Sequence, residues 1–132
     1  MMPTRIQRKR TKGWKMPPNT VYVGRPSKWG NPFRDSPVGG RELSVALYRD
    51  MVRGIWNPTL MLYASDSEVA TVYQVRQRWF ERIGRHPTEV AWAELKGKTL
   101  CCWCPLVDRN GDRVPCHADI LLELANLGGN HG

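Results

Sequence analysis

The stretch "CCWCPLVDRNGDRVPCH", residues 101–117, holds all four cysteines of the chain and one of its three histidines. At its centre is Asn110-Gly111, a dipeptide that favours a two-residue β-turn because both central positions need positive φ. With that turn, residues pair when their numbers sum to 221. Arg109 then faces Asp112, Asp108 faces Arg113, and Val107 faces Val114. Two opposite-charge pairs and a valine pair agree with this register. Continued outward, it brings Cys104 opposite His117, with Cys116 alongside. Cys102 and Cys104 are two residues apart and share one face of a strand, whereas Cys101 points the other way, into a core.

The flanks extend this hairpin into a fold. "KTLCCW" reads as a strand and "CHADILLELAN" as a helix with Leu121, Leu124 and Ala125 inward, stopped by "NLGG". "TVYVG", residues 20–24, reads as a short strand. "GRELSVALYRDMVR" reads as a helix with Leu43, Ala46, Leu47 and Met51 at helical spacing. "GIWNPTLMLYASD" stays ambiguous because Pro58 interrupts it. "SDSEVATVYQVRQRWFERIG" is the most strongly marked helix. Val69, Val72, Tyr73, Arg76, Phe80 and Ile83 form its stripe, and Trp79 broadens it. Ser65 and Glu68 make a capping box, and Gly84 a C-terminal stop. "PTEVAWAEL" makes a short helix after Pro87 begins it. The expected fold is α/β or α+β: a small single domain with a short mixed sheet, about four helices and a basic N-terminal arm.

At 132 residues the chain can bury one core without staples, and 41% hydrophobic content with six tryptophans supports one. No apolar run approaches the ~18 residues of a membrane span. The first residues carry charge but no apolar segment, so they do not form a secretory signal. The expectation is a cytoplasmic protein in a reducing setting, where clustered cysteines are ligands or reactive thiols rather than disulfides. The net charge is +8, and Arg5, Arg8, Lys9, Arg10, Lys12 and Lys15 account for six of it with no acid among them. Residues 1–19 are therefore expected to form a flexible basic arm for a polyanion such as nucleic acid, and residues 20–132 the globular domain.

Two places can carry chemistry. Cys102, Cys104, Cys116 and His117 supply three sulfurs and an imidazole, a donor set for a closed tetrahedral zinc site. The same residues fit a reactive thiol, because Cys116 and His117 begin a helix whose free N–H groups favour a thiolate. In that reading Cys116 is the nucleophile, His117 the acid or base, and Asp119 its orienting partner. Buried structural cysteines are the bland alternative. The second place is "VYVGRPSKWGNPF", residues 21–33. Here Gly24 and Gly30 permit close approach, Arg25 and Lys28 offer cations, Trp29 a stacking surface and Asn31 an amide, a mixture suited to a phosphate or nucleobase. Alternatively, Trp29 and Phe33 plug the core.

Together, "VYVGRPSKWGNPF" and "LKGKTLCCWCP…PCHADILLELAN" resemble an uncharacterised family of domains of unknown function. The family is common in bacteriophages, especially of actinobacterial hosts, and occurs in bacteria. The likeness covers residues 20–127. It rests on Gly24, Arg25, Trp29, Gly30, Asn31, Pro32 and Phe33, and on Cys102, Cys104, Cys116, His117, Ala118 and Asp119. The resemblance implies a phage-type protein of the bacterial cytoplasm and supplies no activity. It leaves the basic arm outside and joins the two motif loops into one composite site. The leading expectation is a nucleotide- or nucleic-acid-directed protein, with the enzyme question open. Alternatives are a zinc-stabilised nucleic-acid-binding module and a factor that engages a host protein, none involving a membrane.

Overall fold

A computed structural model describes residues 3–33, 41–54, 65–84 and 86–126. Its elements are β1 (Arg5–Gln7), β2 (Thr20–Tyr22), α1 (Arg41–Val52), α2 (Asp66–Ile83), α3 (Pro87–Leu95), β3 (Thr99–Cys102) and α4 (His117–Asn126). The segment "GIWNPTLMLYASD" and the "NLGG" stop fall largely or wholly outside the described residues. The three strands form one sheet in the order β1-β3-β2, parallel throughout. The expected small α/β domain with about four helices is therefore present among the described residues, its sheet parallel rather than mixed.

β1 is the main departure from the sequence reading. Residues 5–7 lie inside the stretch expected to be a flexible arm, yet they pair with Leu100, Cys101 and Cys102. The pairing partner is some 95 residues away, beyond the reach of any local pattern. Arg5 is 2% exposed and ion-paired to Asp119 at 2.9 Å, so it belongs to the body of the domain and not to an arm. Past β1, Lys9, Arg10, Lys12 and Lys15 are exposed.

The helices follow their punctuation. Ser65 caps α2 through a complete capping box, and Gly84 ends it in the left-handed conformation at φ 78°. The buried face of α2 is Val72, Arg76, Trp79 and Ile83, while Tyr73 is 55% exposed. Trp79 thus replaces Tyr73 as the aromatic anchor. Its ring meets Trp29 and Tyr48 edge-on at 6.4 and 6.1 Å, and its indole N–H donates to the Lys28 carbonyl. Tyr48 on α1, fully buried, donates to the Trp29 carbonyl at 2.7 Å. The glycine–arginine loop is in this way fixed to two helices by its own backbone. A Cβ at Gly24 would lie 2.5 Å from the Tyr22 hydroxyl and would push that ring off its hydrogen bond to the Arg25 carbonyl.

In a parallel sheet every strand leaves at the same edge, and ligand sites collect there. At this edge are Arg8 to Arg10 after β1, Val23 to Arg25 after β2, and Trp103 and Cys104 after β3.

Candidate metal centre and cleft

The hairpin after β3 forms one residue out of the expected register. Asp108 accepts hydrogen bonds from the amides of Asn110 and Asp112 on one carboxylate oxygen, at 2.8 and 3.0 Å. Gly111 alone takes positive φ, 84°, whereas a type I′ turn would need Asn110 there too. The result is a three-residue loop in which Asp108 meets Asp112 and Val107 meets Arg113. The aspartate side chain holds the loop open by one residue, an Asx turn that outweighs the Asn-Gly preference. Arg113 is released from Asp108 and reaches Asp119 at 2.6 Å. The same shift makes the partner of Cys104 Cys116 rather than His117.

The sulfurs of Cys102, Cys104 and Cys116 all lie within 4.8 Å of one another, an arrangement that could hold a metal ion. The Cys102 and Cys116 sulfurs are 3.3 Å apart, and all four cysteines are free thiols. Cys101 is fully buried and outside the trio, as its opposite facing on the strand requires. Cys102 and Cys116 are buried, while Cys104 is half-buried. Arg41, at the start of α1, donates to the Cys104 sulfur at 3.2 Å. The amide of Ala118, in the first turn of α4, donates to the Cys116 sulfur at 3.4 Å.

Such crowding makes the three thiols unequal as acids. Thiol hydrogen bonds from Cys102 and Cys116 draw Cys104 down to about 2, against burial and with Arg41 assisting. The hydrogen bond to Cys104 pushes the Cys102 thiol far up. Cys116 is lowered by Cys102, yet Cys104 and burial prevail and push it up to about 11. Of the three thiols, Cys104, facing Arg41, is the one drawn toward the thiolate.

Of the expected quartet, His117 lies beside the trio but outside the cluster that could hold a metal. Its Nε2 donates to the Val23 carbonyl at 2.7 Å, which leaves Nδ1 bare and 3.5 Å from the Cys116 sulfur. Burial lowers its pKa, so the ring is neutral. Asp119 does not orient this ring. Its carboxylate is bound to Arg5 and Arg113, and the orienting acceptor is Val23.

A cleft of about 380 Å³ opens over these groups, within the range of small-ligand sites. Gly24, Arg25 and Asn31 line it from the first motif loop; Cys102, Trp103, Cys104, Cys116 and His117 line it from the second. The two loops thus line one cleft, because β2 and β3 are adjacent and parallel. Arg41, Ser44 and Val45 of α1 complete the wall. Neither Arg41 nor Trp103 stood out in the sequence: one sits in an ordinary amphipathic helix, the other between two cysteines whose chemistry is more conspicuous.

Two expected ligand residues lie elsewhere. Lys28 is ion-paired to Glu94 at 2.5 Å, and Trp29 is 2% exposed in the core with its indole N–H on the same carboxylate. The Trp29 ring is buried and meets Trp79 at 6.4 Å, so the core-plug alternative holds for it and for Phe33. Asn31 is buried too. Its amide nitrogen donates to Ser44, and its oxygen accepts from the Phe33 amide, which positions the loop against α1. Arg25 stays at the cleft, its Nε donating to the Asn31 carbonyl at 3.2 Å.

The family model "Domain of unknown function (DUF4326)" matches residues 6–127, and the chain belongs to that family. The match begins within β1, so the family domain includes part of the stretch expected to lie outside it. No curated protein and no solved structure matches the chain. Among the described residues, no helix is long and apolar enough to cross a membrane.

Proposed function

We propose that this DUF4326 protein is a zinc-stapled module that binds a nucleotide or nucleic acid at the cleft beside the metal. The observation that carries it is the convergence of three free cysteine sulfurs within 4.8 Å at the wall of an arginine-lined cleft. Zinc with bonds of about 2.3 Å sets its sulfurs about 3.8 Å apart, close to what the trio already has. His117 supports the role of fourth ligand. A metal-bound histidine usually donates its other N–H to a carbonyl, as Nε2 does here to Val23, and that bond leaves Nδ1 bare on the sulfur side. Three thiolates and a neutral imidazole around Zn²⁺ leave one net negative charge, and Arg41 stands against it.

The staple would tie the end of β3 to the start of α4, across a 14-residue separation. Protein purified without added metal should carry about one zinc per chain by plasma mass spectrometry, as a closed four-ligand site requires. Cys102→Ser and Cys116→Ser should lose it. His117→Ala should retain it with affinity lowered on the order of tenfold or more. Metal-free protein that is fully folded would end the zinc reading.

One observation favours catalysis as a second reading. Cys104 is half-buried on the cleft wall, with a guanidinium at 3.2 Å. A thiolate so placed is a nucleophile when no metal holds it. Metal-free protein in which iodoacetamide modifies Cys104 far faster than Cys101 near neutral pH would support that reading. It would move the reactive sulfur from Cys116 to Cys104.

A further inference from the structure

The carboxyl edge of the sheet carries a second arrangement that a metal staple does not explain. Arg8, directly after β1, lies over two rings at once, 4.8 Å from the Tyr22 centroid and 5.2 Å from the Trp103 centroid. Arg10 lies 4.8 Å from the Trp103 centroid. Trp103 is 37% exposed, large for an indole among these residues, and it also lines the cleft. Lys9, Lys12 and Lys15, interleaved with and following these arginines in the chain, are all exposed. From residue 1 to residue 34 the sequence contains no acid. Of its cations, Arg5 and Lys28 are neutralised by Asp119 and Glu94, both on other elements. Arg8 and Arg10 thus set two cations against aromatic rings, and the exposed Lys9, Lys12 and Lys15 lie close to them in the chain.

We infer that this face binds single-stranded nucleic acid, with a base stacked on Trp103 and the phosphates tracked by Arg8, Arg10, Lys12 and Lys15. A basic surface alone would take any polyanion. The exposed indole discriminates, because only an unstacked base has a free π-face to meet it, and a duplex keeps its faces buried. Arginines already over the ring show that its face attracts planar cationic groups, and guanidinium and base can share such a platform. Trp103 joins this face to the cleft, so a base stacked there has Arg25 and Arg41 as the next cations. The inference deepens the nucleic-acid half of the proposed function and does not depend on zinc.

The test is fluorescence anisotropy of a labelled oligothymidylate of about twelve nucleotides, a length that spans one such site. It is run with the full chain at several salt concentrations, and the zinc content of the same sample is measured. Binding should be micromolar or tighter at low salt and weaken steeply as salt rises. Trp103→Ala should weaken it roughly tenfold, with Trp103→Phe intermediate, at an unchanged salt slope. Arg10→Gln with Lys12→Gln and Lys15→Gln should instead flatten the slope, by about 0.7 for each phosphate no longer neutralised. Thermal melting confirms that each variant is folded. The inference is overturned if the oligonucleotide is not bound, if Trp103→Ala and Trp103→Phe bind like the parent, or if a duplex of equal length binds as tightly. Zinc present with no binding sinks this inference alone; Trp103-dependent binding without zinc sinks the staple alone.

Discussion

Arg5 shows how a buried charge is held. Its side chain is fully buried, with Nη1 on Asp119 at 2.9 Å and Nη2 on the carbonyls of Pro105 and Leu106 at 3.2 and 3.4 Å. Burying a guanidinium costs several kcal/mol unless such partners offset it, and removing one partner leaves that cost exposed. Asp119→Asn should therefore destabilise the fold by about 2–3 kcal/mol, below the full buried-pair figure because Asp119 is partly solvated. Arg5→Met removes the charge together with its desolvation and should cost less, about 1 kcal/mol. The double variant should be close to Arg5→Met alone. Urea denaturation of the three variants checks this. Equal losses from both single changes, adding in the double, would show that the pair is not a unit. The sequence displays Arg5 as one more cation in a basic run, since its partner lies 114 residues away.

At the scale of elements, α2 is held at both ends by local chemistry. The Ser65 hydroxyl accepts from the Glu68 amide at 3.2 Å, and the Glu68 carboxylate accepts from the Ser65 amide at 3.3 Å. Ser65→Ala should cost about 1 kcal/mol by opening this box. Gly84→Ala should cost about the same, entirely through backbone strain, because nothing lies within 4 Å of the added Cβ. Each change should lower the melting temperature by a few degrees, and a Gly84→Ala variant as stable as the parent would show that the left-handed cap adds nothing to the helix. These ends were legible because capping acts within four residues. The same locality explains the misread hairpin. Cross-strand charges suggested one register, but a single Asp108 oxygen gathering two amides fixed another. The three-residue β1 offers almost no periodicity, and its parallel partner β3 is set by tertiary contacts alone. The composite site was legible at the level of its two motifs because glycine, arginine and cysteine carry their chemistry openly. Arg41 was not, because only the packing of α1 brings it to Cys104.

For the whole molecule, the first strand decides whether the N-terminus is an appendage or a part of the domain. β1 covers one edge of β3, with the Leu100 amide donating to the Thr4 carbonyl at 2.9 Å and the Arg8 amide to the Cys102 carbonyl at 2.7 Å. Both bonds bracket the strand that ends in Cys102, so β1 stiffens the strand that presents the trio. Removing residues 1–10 would uncover that edge, strip Asp119 of Arg5, and take Arg8 and Arg10 from the Trp103 face. A parallel strand flanked on one side only leaves its N–H and C=O groups open to pairing with another chain. The truncated protein should melt more than about 10 °C below the parent, since losses of a few kcal/mol translate to shifts of that size in a domain this long. It should also associate on standing. Removal of residues 1–3 should leave the melting temperature within about 2 °C, because Thr4 still supplies its carbonyl. Differential scanning calorimetry with light scattering distinguishes the cases. A chain lacking residues 1–10 that melts like the parent and associates no more than it does would return the N-terminus to the status of a free arm, and with it Arg8 and Arg10 would lose their fixed place over Trp103.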